Sequence, residues 1–358
     1  MLMKLSIVLV ALAAAGGASP AAGSDFSPDQ LVEIAEGYLD AGSNRQALEP
    51  LRMALAADES NAKAHRLMGL ALSRLERPAE AESHFGRAAE LDPTNYEVRL
   101  MLGMVRDLAG RYDGAIEAYK SAIAIDGERP EAWRELGMTH LLQGDHEDAV
   151  ESLRRAESLS KEPEASLLSD LGYALFVAGE GEEALEVLNR AAELAPRDPE
   201  VRFILGRVHA GGGRVAQAVA AFDAALARKP DHGLAALYKG MTLANAGRHT
   251  EAIEALQTAL TLRPSDARVR TVLGRTLAVT GDLTAAEEHL AIAVATEPGS
   301  PGPWRDLARV REASGQLGRA LEALRRASAL LPQDEELASE VRRLEDAAAK
   351  ATQQPGGE

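Results

Sequence analysis

The sequence predicts an all-α fold in which a short helical hairpin is repeated end to end, and three observations predict it. Glycines at 69, 103, 137, 172, 206, 240 and 274 are spaced by 34 residues, with one step of 35. Alanine occupies two fixed places of that frame in every copy. Only 4% of residues are aromatic against 46% apolar overall, so the core has to be built from Ala and Leu, a composition that favours closely packed helices. A period of this length marks a solenoid or array, in which the chain grows lengthwise instead of enlarging one core.

The first element is the stretch MLMKLSIVLVALAAAGGASPAAGS. Lys4 precedes an apolar run from Leu5 to Ala15, and small residues follow, the pattern of a secretory signal peptide over residues 1–22 with cleavage near 18–22. The lesser alternative is an uncleaved anchor in the inner membrane, because the run is shorter than the ~20 residues a spanning helix needs. Heavy use of Ala and Arg with few Lys suggests GC-rich coding and the simple signal suggests a bacterium, so the expected address is periplasmic or secreted.

Nine repeats follow, at 28–61, 62–95, 96–129, 130–163, 165–198, 199–232, 233–266, 267–300 and 301–334. With the recurring glycine numbered position 8, position 20 is alanine from Ala47 to Ala320, and position 27 is alanine from Ala54 to Ala327, without exception. Position 24 is always large, as in Phe85, Tyr119 and Leu153, and position 32 is proline at 93, 196, 230, 264, 298 and 332. Apolar positions 4, 7, 8 and 11 form one helical stripe and positions 20, 24 and 27 a second, so each repeat is two helices. Small residues at 8, 20 and 27 let the backbones approach, the bulky residue at 24 fills the space between, and proline at 32 ends the second helix. A glycine at position 15, as in Gly110, Gly144, Gly179, Gly247 and Gly281, suits the turn after the first helix. The segment 335–350 places Leu337, Val341, Leu344 and Ala348 on one face and reads as a capping helix over the last repeat. Residues 351–358 read as a disordered tail.

This pattern resembles the tetratricopeptide repeat (TPR) family: a bulky residue at 4, Leu-Gly at 7 and 8, Ala at 20, an aromatic at 24, Ala at 27 and Pro at 32. Trp stands at position 4 only in Trp133 and Trp304, and position 8 is Ala35 in the first repeat and Ala308 in the ninth. The resemblance implies a right-handed superhelical solenoid of nine tandem repeats with a C-terminal capping helix, its first helices lining a concave groove. It also implies that groove residues fall mainly at positions 2, 5, 6, 9, 12 and 13.

At those positions the middle repeats present Leu100, Met101, Met104, Met138, Tyr173, Phe176, Phe203, Ile204, Leu237, Tyr238 and Met241, with Leu141 and Val177 beside them. This apolar run, rich in a side chain that repacks around varied partners, is the candidate groove for a protein or peptide segment. The last repeats add Arg268, Arg275, Arg305 and Arg309 as possible anion contacts, since a guanidinium recognises a carboxylate bidentately. The Asn and Lys set by which chaperone-binding members of the family clamp a peptide C-terminus has no counterpart at position 9 here.

Other chemistries are not expected. The net charge of −16 disfavours nucleic acid and, after signal cleavage, direct membrane binding. There is no cysteine, and the eight histidines are dispersed without a metalloprotease motif, so neither a metal nor a cofactor is expected. No nucleophile, base and orienting group converge, which predicts a non-enzymatic scaffold of the bacterial cell envelope. The alternative is a component of envelope polysaccharide export or assembly, with Tyr173, Phe176, Phe203 and Tyr238 as stacking faces for sugars.

Overall fold

The computed structural model describes residues 26–353, so the signal segment and the end of the tail, 354–358, lie outside the described residues. Among the described residues every element is helical, and the chain divides into two compact units between Glu180 and Gly181.

The N-terminal half holds α1 (Pro28–Asp40), α2 (Asn44–Ala57), α3 (Ala62–Arg74), α4 (Pro78–Leu91), α5 (Tyr96–Leu108), α6 (Tyr112–Ile125), α7 (Pro130–Gln143), α8 (His146–Leu159) and α9 (Ala165–Val177). The C-terminal half holds α10 (Gly181–Leu194), α11 (Pro199–Gly211), α12 (Val215–Arg228), α13 (Gly233–Asn245), α14 (His249–Leu262), α15 (Ala267–Thr280), α16 (Leu283–Thr296), α17 (Pro301–Ala313), α18 (Leu317–Leu330) and α19 (Glu335–Gln353).

Each hairpin closes for the reason its sequence gives. The alanines at positions 20 and 27 are fully buried, and the large residue at 24 is buried between them. Position 24 lies under the glycine of its own repeat: a Cβ on Gly69 would meet the Phe85 ring at 2.9 Å, and one on Gly206 the Phe222 ring at 2.5 Å. In these repeats glycine at position 8 relieves a close approach to the side chain at 24, whereas the first and ninth repeats, with Leu51 and Leu324 at 24, bury Ala35 and Ala308 there. Second helices stop two residues ahead of the position-32 prolines, as α4 does before Pro93 and α14 before Pro264.

The turn after each first helix uses a left-handed residue at position 15. Gly110, Gly144, Gly179, Gly247 and Gly281 all have positive φ, as do Gly42, Gly213 and Gly315, and the second repeat uses Glu76 at φ 58 instead. Both position-4 tryptophans donate their indole N–H to a loop carbonyl six residues earlier, Trp133 to Gly127 and Trp304 to Pro298, each at 3.0 Å. The last helix covers the ninth repeat with Leu337 and Leu344 buried and Val341 packed beside them. It runs to Gln353, so the first three residues of the stretch read as a disordered tail continue the cap.

Candidate partner-binding surface

Within each half, first helices of successive repeats touch one another: α1 on α3, α5 on α7 and α7 on α9, then α11 on α13, α13 on α15 and α15 on α17. Second helices make no comparable contact among the described residues. First helices therefore line the inner side of each half.

In the N-terminal half this inner side carries an open apolar ladder. Positions 9 and 13 lie one turn apart on the same face of a helix. On α5 they are Met104 and Leu108, on α7 Met138 and Leu142, and on α9 Tyr173 and Val177. Met104 is 43% exposed, Leu108 75% and Leu142 63%, while Met138, Tyr173 and Val177 are half-buried. Leu141 and Phe176, at position 12, are also half-buried. Met101 is half-buried too and leans on the core of the first repeats.

Carboxylates lie behind the ladder. Asp107 accepts hydrogen bonds from the Tyr119 hydroxyl at 2.8 Å and from Thr139 Oγ1 at 2.7 Å. Arg134 donates to Asp170, the shorter contact being 2.6 Å. Burial pushes the Asp170 carboxyl up against the pull of Arg134, and it pushes Glu135 up with help from the charges of Asp107 and Asp170. Burial and the bond to Asp107 raise the Tyr119 phenol, which stays the donor at any physiological pH.

Three residues expected on the groove are in the core instead. Leu100 packs with Tyr96, Ala132 and Leu136, Phe203 with Phe222 and Ala235, and Leu237 with Val269 and Leu273. All three stand at position 5 and point into the contact with the next repeat. In the C-terminal half the remaining candidates are half-buried: Ile204 and Tyr238 lie against the Phe203–Phe222 cluster, and Met241 against the Leu237–Leu256 cluster. The guanidinium of Arg207 lies 5.1 Å from the centre of the Tyr238 ring and 5.8 Å from that of Phe203. An aromatic face there is already covered by a cation.

The four arginines read as anion contacts have carboxylate partners within the chain. Arg268 binds Asp266 at the start of its own helix, Arg275 binds Asp306 at 2.6 Å, Arg305 binds Glu336 and Glu340, and Arg309 reaches Glu340 at 3.3 Å. Arg275, Arg305 and Arg309 line one hollow with Val279 between α15 and α17. An incoming anion would have to share or displace their partners.

Comparison with known proteins decides the family. The profile described as "Cilia and flagella-associated protein 70 C-terminal domain" matches residues 93–302, and tetratricopeptide repeat profiles match 62–95 and 277–344. The chain belongs to the tetratricopeptide repeat family. A curated relative, the type IV pilus assembly protein PilF of Pseudomonas aeruginosa (strain PAO1), is 33% identical over 76 residues, 21% of this TPR chain and 30% of PilF. The chain thus matches less than a third of that relative's length. Among solved structures, Cut9–Hcn1 of the APC/C is similar over 96% of this chain and 82% of its own, with a TM-score of 0.57 at 16% identity, a likeness of fold. A Pseudomonas aeruginosa PilF structure is similar over 57% of this chain and 92% of its own, at 21% identity and a TM-score of 0.49.

Placed on the TPR frame, the most exposed apolar side chains of the ladder, Leu108 and Leu142, are not among those singled out in the sequence. The signal was present, because both stand at position 13, one of the positions the family resemblance assigns to the groove.

Proposed function

We propose that this TPR chain is a non-enzymatic scaffold of the bacterial cell envelope that holds an amphipathic segment of a partner protein on the inner face of its N-terminal half. The observation that carries the reading is the three-helix ladder, with Met104, Leu108 and Leu142 open to solvent and no function in the core. Fully burying a Leu or Met side chain is worth about 1.5–3 kcal/mol, so completing the burial of these three supplies roughly 3–5 kcal/mol, or two to four decades of affinity. The acidic groups behind and beside it favour a partner whose apolar anchors are flanked by Lys or Arg. The signal-like N-terminus and the partial similarity to a pilus assembly protein support an envelope address and a role in assembly.

Photo-crosslinking from positions 104 and 142 in the native host, with Lys120 on a second helix as the outer-face control, tests this. A discrete protein captured from the inner face alone, and lost in the triple variant Met104→Glu, Leu108→Glu, Leu142→Glu, is the expected result. Equal capture from Lys120, or unchanged capture by the triple variant, rejects the assignment. The polysaccharide reading ranks second because Phe203 is in the core and Arg207 covers Tyr238, which leaves two of its four stacking faces unavailable.

A further inference from the structure

The fourth repeat differs from the other eight at the turn between its two helices. Position 11 is His140, position 16 Asp145 and position 19 Asp148, and no other repeat combines a histidine with two carboxylates at these places. The sixth repeat also has a histidine at position 11, His209, but faces it with Arg214 at position 16.

The turn brings the three together. Gly144 is left-handed at φ 87, and the Asp145 amide donates back to the His140 carbonyl at 2.9 Å, so the chain reverses and sets position 16 beside position 11. Position 11 also points at position 19 of its own repeat: Arg106 donates to the Gly114 carbonyl at 2.8 Å, and Arg311 to the Arg319 carbonyl at 3.2 Å. With histidine at position 11 and aspartate at position 19, one ligand atom from each of His140, Asp145 and Asp148 falls within 4.8 Å of the others.

Two features show that these groups are not satisfied by one another. His140 is 6% exposed, and its Nδ1 is buried without a hydrogen-bond partner. The nearest acceptor, Asp145 Oδ2, is 3.6 Å away, too long for a hydrogen bond. That separation is close to the edge of a tetrahedron around a zinc-sized ion, about 3.4 Å for metal–ligand distances near 2.1 Å. Asp145 also occupies the N-cap of α8 without bonding any amide of that helix, whereas Asp282, at the same position 16 of the eighth repeat, caps its helix by accepting from Ala285 N at 3.1 Å. The carboxylate of Asp145 is turned from its usual use toward the imidazole.

We propose that His140 Nδ1, Asp145 and Asp148 bind a divalent first-row transition cation of the zinc type, at a site open to solvent on the Asp145 and Asp148 side. One imidazole and two carboxylates give a neutral complex with a borderline ligand set, which selects Zn²⁺ or Co²⁺ over Mg²⁺ and Ca²⁺, and three protein ligands leave a position for water or a partner side chain. Gly144, Asp145, Asp148, Val177 and Ala178 line the adjoining hollow, so a ligand arriving at the free position would sit beside Val177 at the end of the apolar ladder.

The test is titration of the chelator-treated full chain with Co²⁺, read by visible d–d absorption, with Zn²⁺ as competitor and Mg²⁺ as control. The expected result is one equivalent bound, displaced by Zn²⁺ but not Mg²⁺, with Asp145→Asn and Asp148→Asn each weakening binding by at least roughly tenfold. Both carboxylates are exposed, so these variants keep the fold. No absorption at millimolar Co²⁺ overturns the proposal, and so does binding that both Asn variants leave unchanged, since the ion would then sit elsewhere.

Discussion

Replacing Gly103 by alanine puts the close approach of the paired helices to a quantitative test. A Cβ at Gly103 would lie 2.4 Å from Tyr119 Cε1, 2.6 Å from Cδ1 and 2.8 Å from Cζ, against an ordinary carbon–carbon contact of about 3.5–4.0 Å. The ring must move by roughly 1 Å. It is fully buried, and its hydroxyl is held by Asp107, so the shift strains the core and stretches a hydrogen bond to a carboxylate. Overpacking costs about 1–3 kcal/mol and the charged hydrogen bond about 1.5–3, while alanine returns about 1 kcal/mol of helix propensity. The net expectation is a loss of about 1.5–5 kcal/mol. Gly69→Ala is the matched control: its Cβ would reach only 2.9 Å from Phe85, which makes no polar anchor, so propensity offsets most of its cost. Repeat arrays need not unfold in one step, so the readout is native-state hydrogen exchange of α5 and α6 amides for Gly103→Ala, and of α3 and α4 for Gly69→Ala. Equal loss in the two variants, or none at Gly103, would refute the argument that the closer, hydroxyl-anchored Tyr119 ring makes glycine more strictly required at Gly103 than at Gly69.

Two further outcomes follow from single residues. Glu76→Gly should raise stability by about 1 kcal/mol, seen as slower exchange at the α3–α4 turn, because Glu76 is exposed, has φ 58, and is alone among non-glycine described residues in the left-handed region. Burial opposes ionisation of Asp266, but hydrogen bonds from Arg268, Arg263 and the Arg268 amide hold its carboxyl down at about 2, below the ordinary 3.8. Its contribution is therefore complete above about pH 4 and is lost as pH falls through about 2. Asp266→Asn keeps the cap of α15 and removes the charge, so the variant should melt below the parent at pH 6 and match it near pH 2; a gap that persists in acid contradicts the assignment.

Much of the fold was legible because the sequence writes it nine times. Ala81, Phe85, Ala88 and Pro93 recur at fixed offsets, and each offset corresponds to a contact: helix against helix at 20 and 27, filler at 24, stop at 32. The groove was only half legible. Leu100, Phe203 and Leu237 look like Met104 and Met241 in the sequence, being apolar residues on the inner stripe of a first helix. What separates them is the contact between successive first helices, which closes over position 5 and leaves 9 and 13 open, and this distance is set by packing that the one-dimensional pattern does not contain. Arg207 was missed as a cover for Tyr238 for the same reason: the two sit at different positions of different repeats, and only their stacking joins them.

The same redundancy tells structural residues from functional ones without reference to any other protein. A residue required for stacking must appear in each copy, because each copy meets the same neighbours; Ala at 20 and 27 does so. A residue that appears once, at a place where the other copies differ, is not demanded by the stack. By this criterion Leu108 and Leu142 at position 13 are not demanded by the stack, since the first, second and seventh repeats put Asp40, Arg74 and Asn245 there with no effect on the hairpin, and Val279 of the eighth repeat, 63% exposed, is an isolated departure of the same kind. His140 with Asp145 and Asp148 is more exceptional still, because Asp282 shows what an aspartate at position 16 does when only the fold is at stake. The ladder ends at Val177, which lines the same hollow as Asp145 and Asp148. Two departures of different chemistry that meet at one hollow are what a binding surface requires, whereas drift in unconstrained positions leaves isolated ones such as Val279.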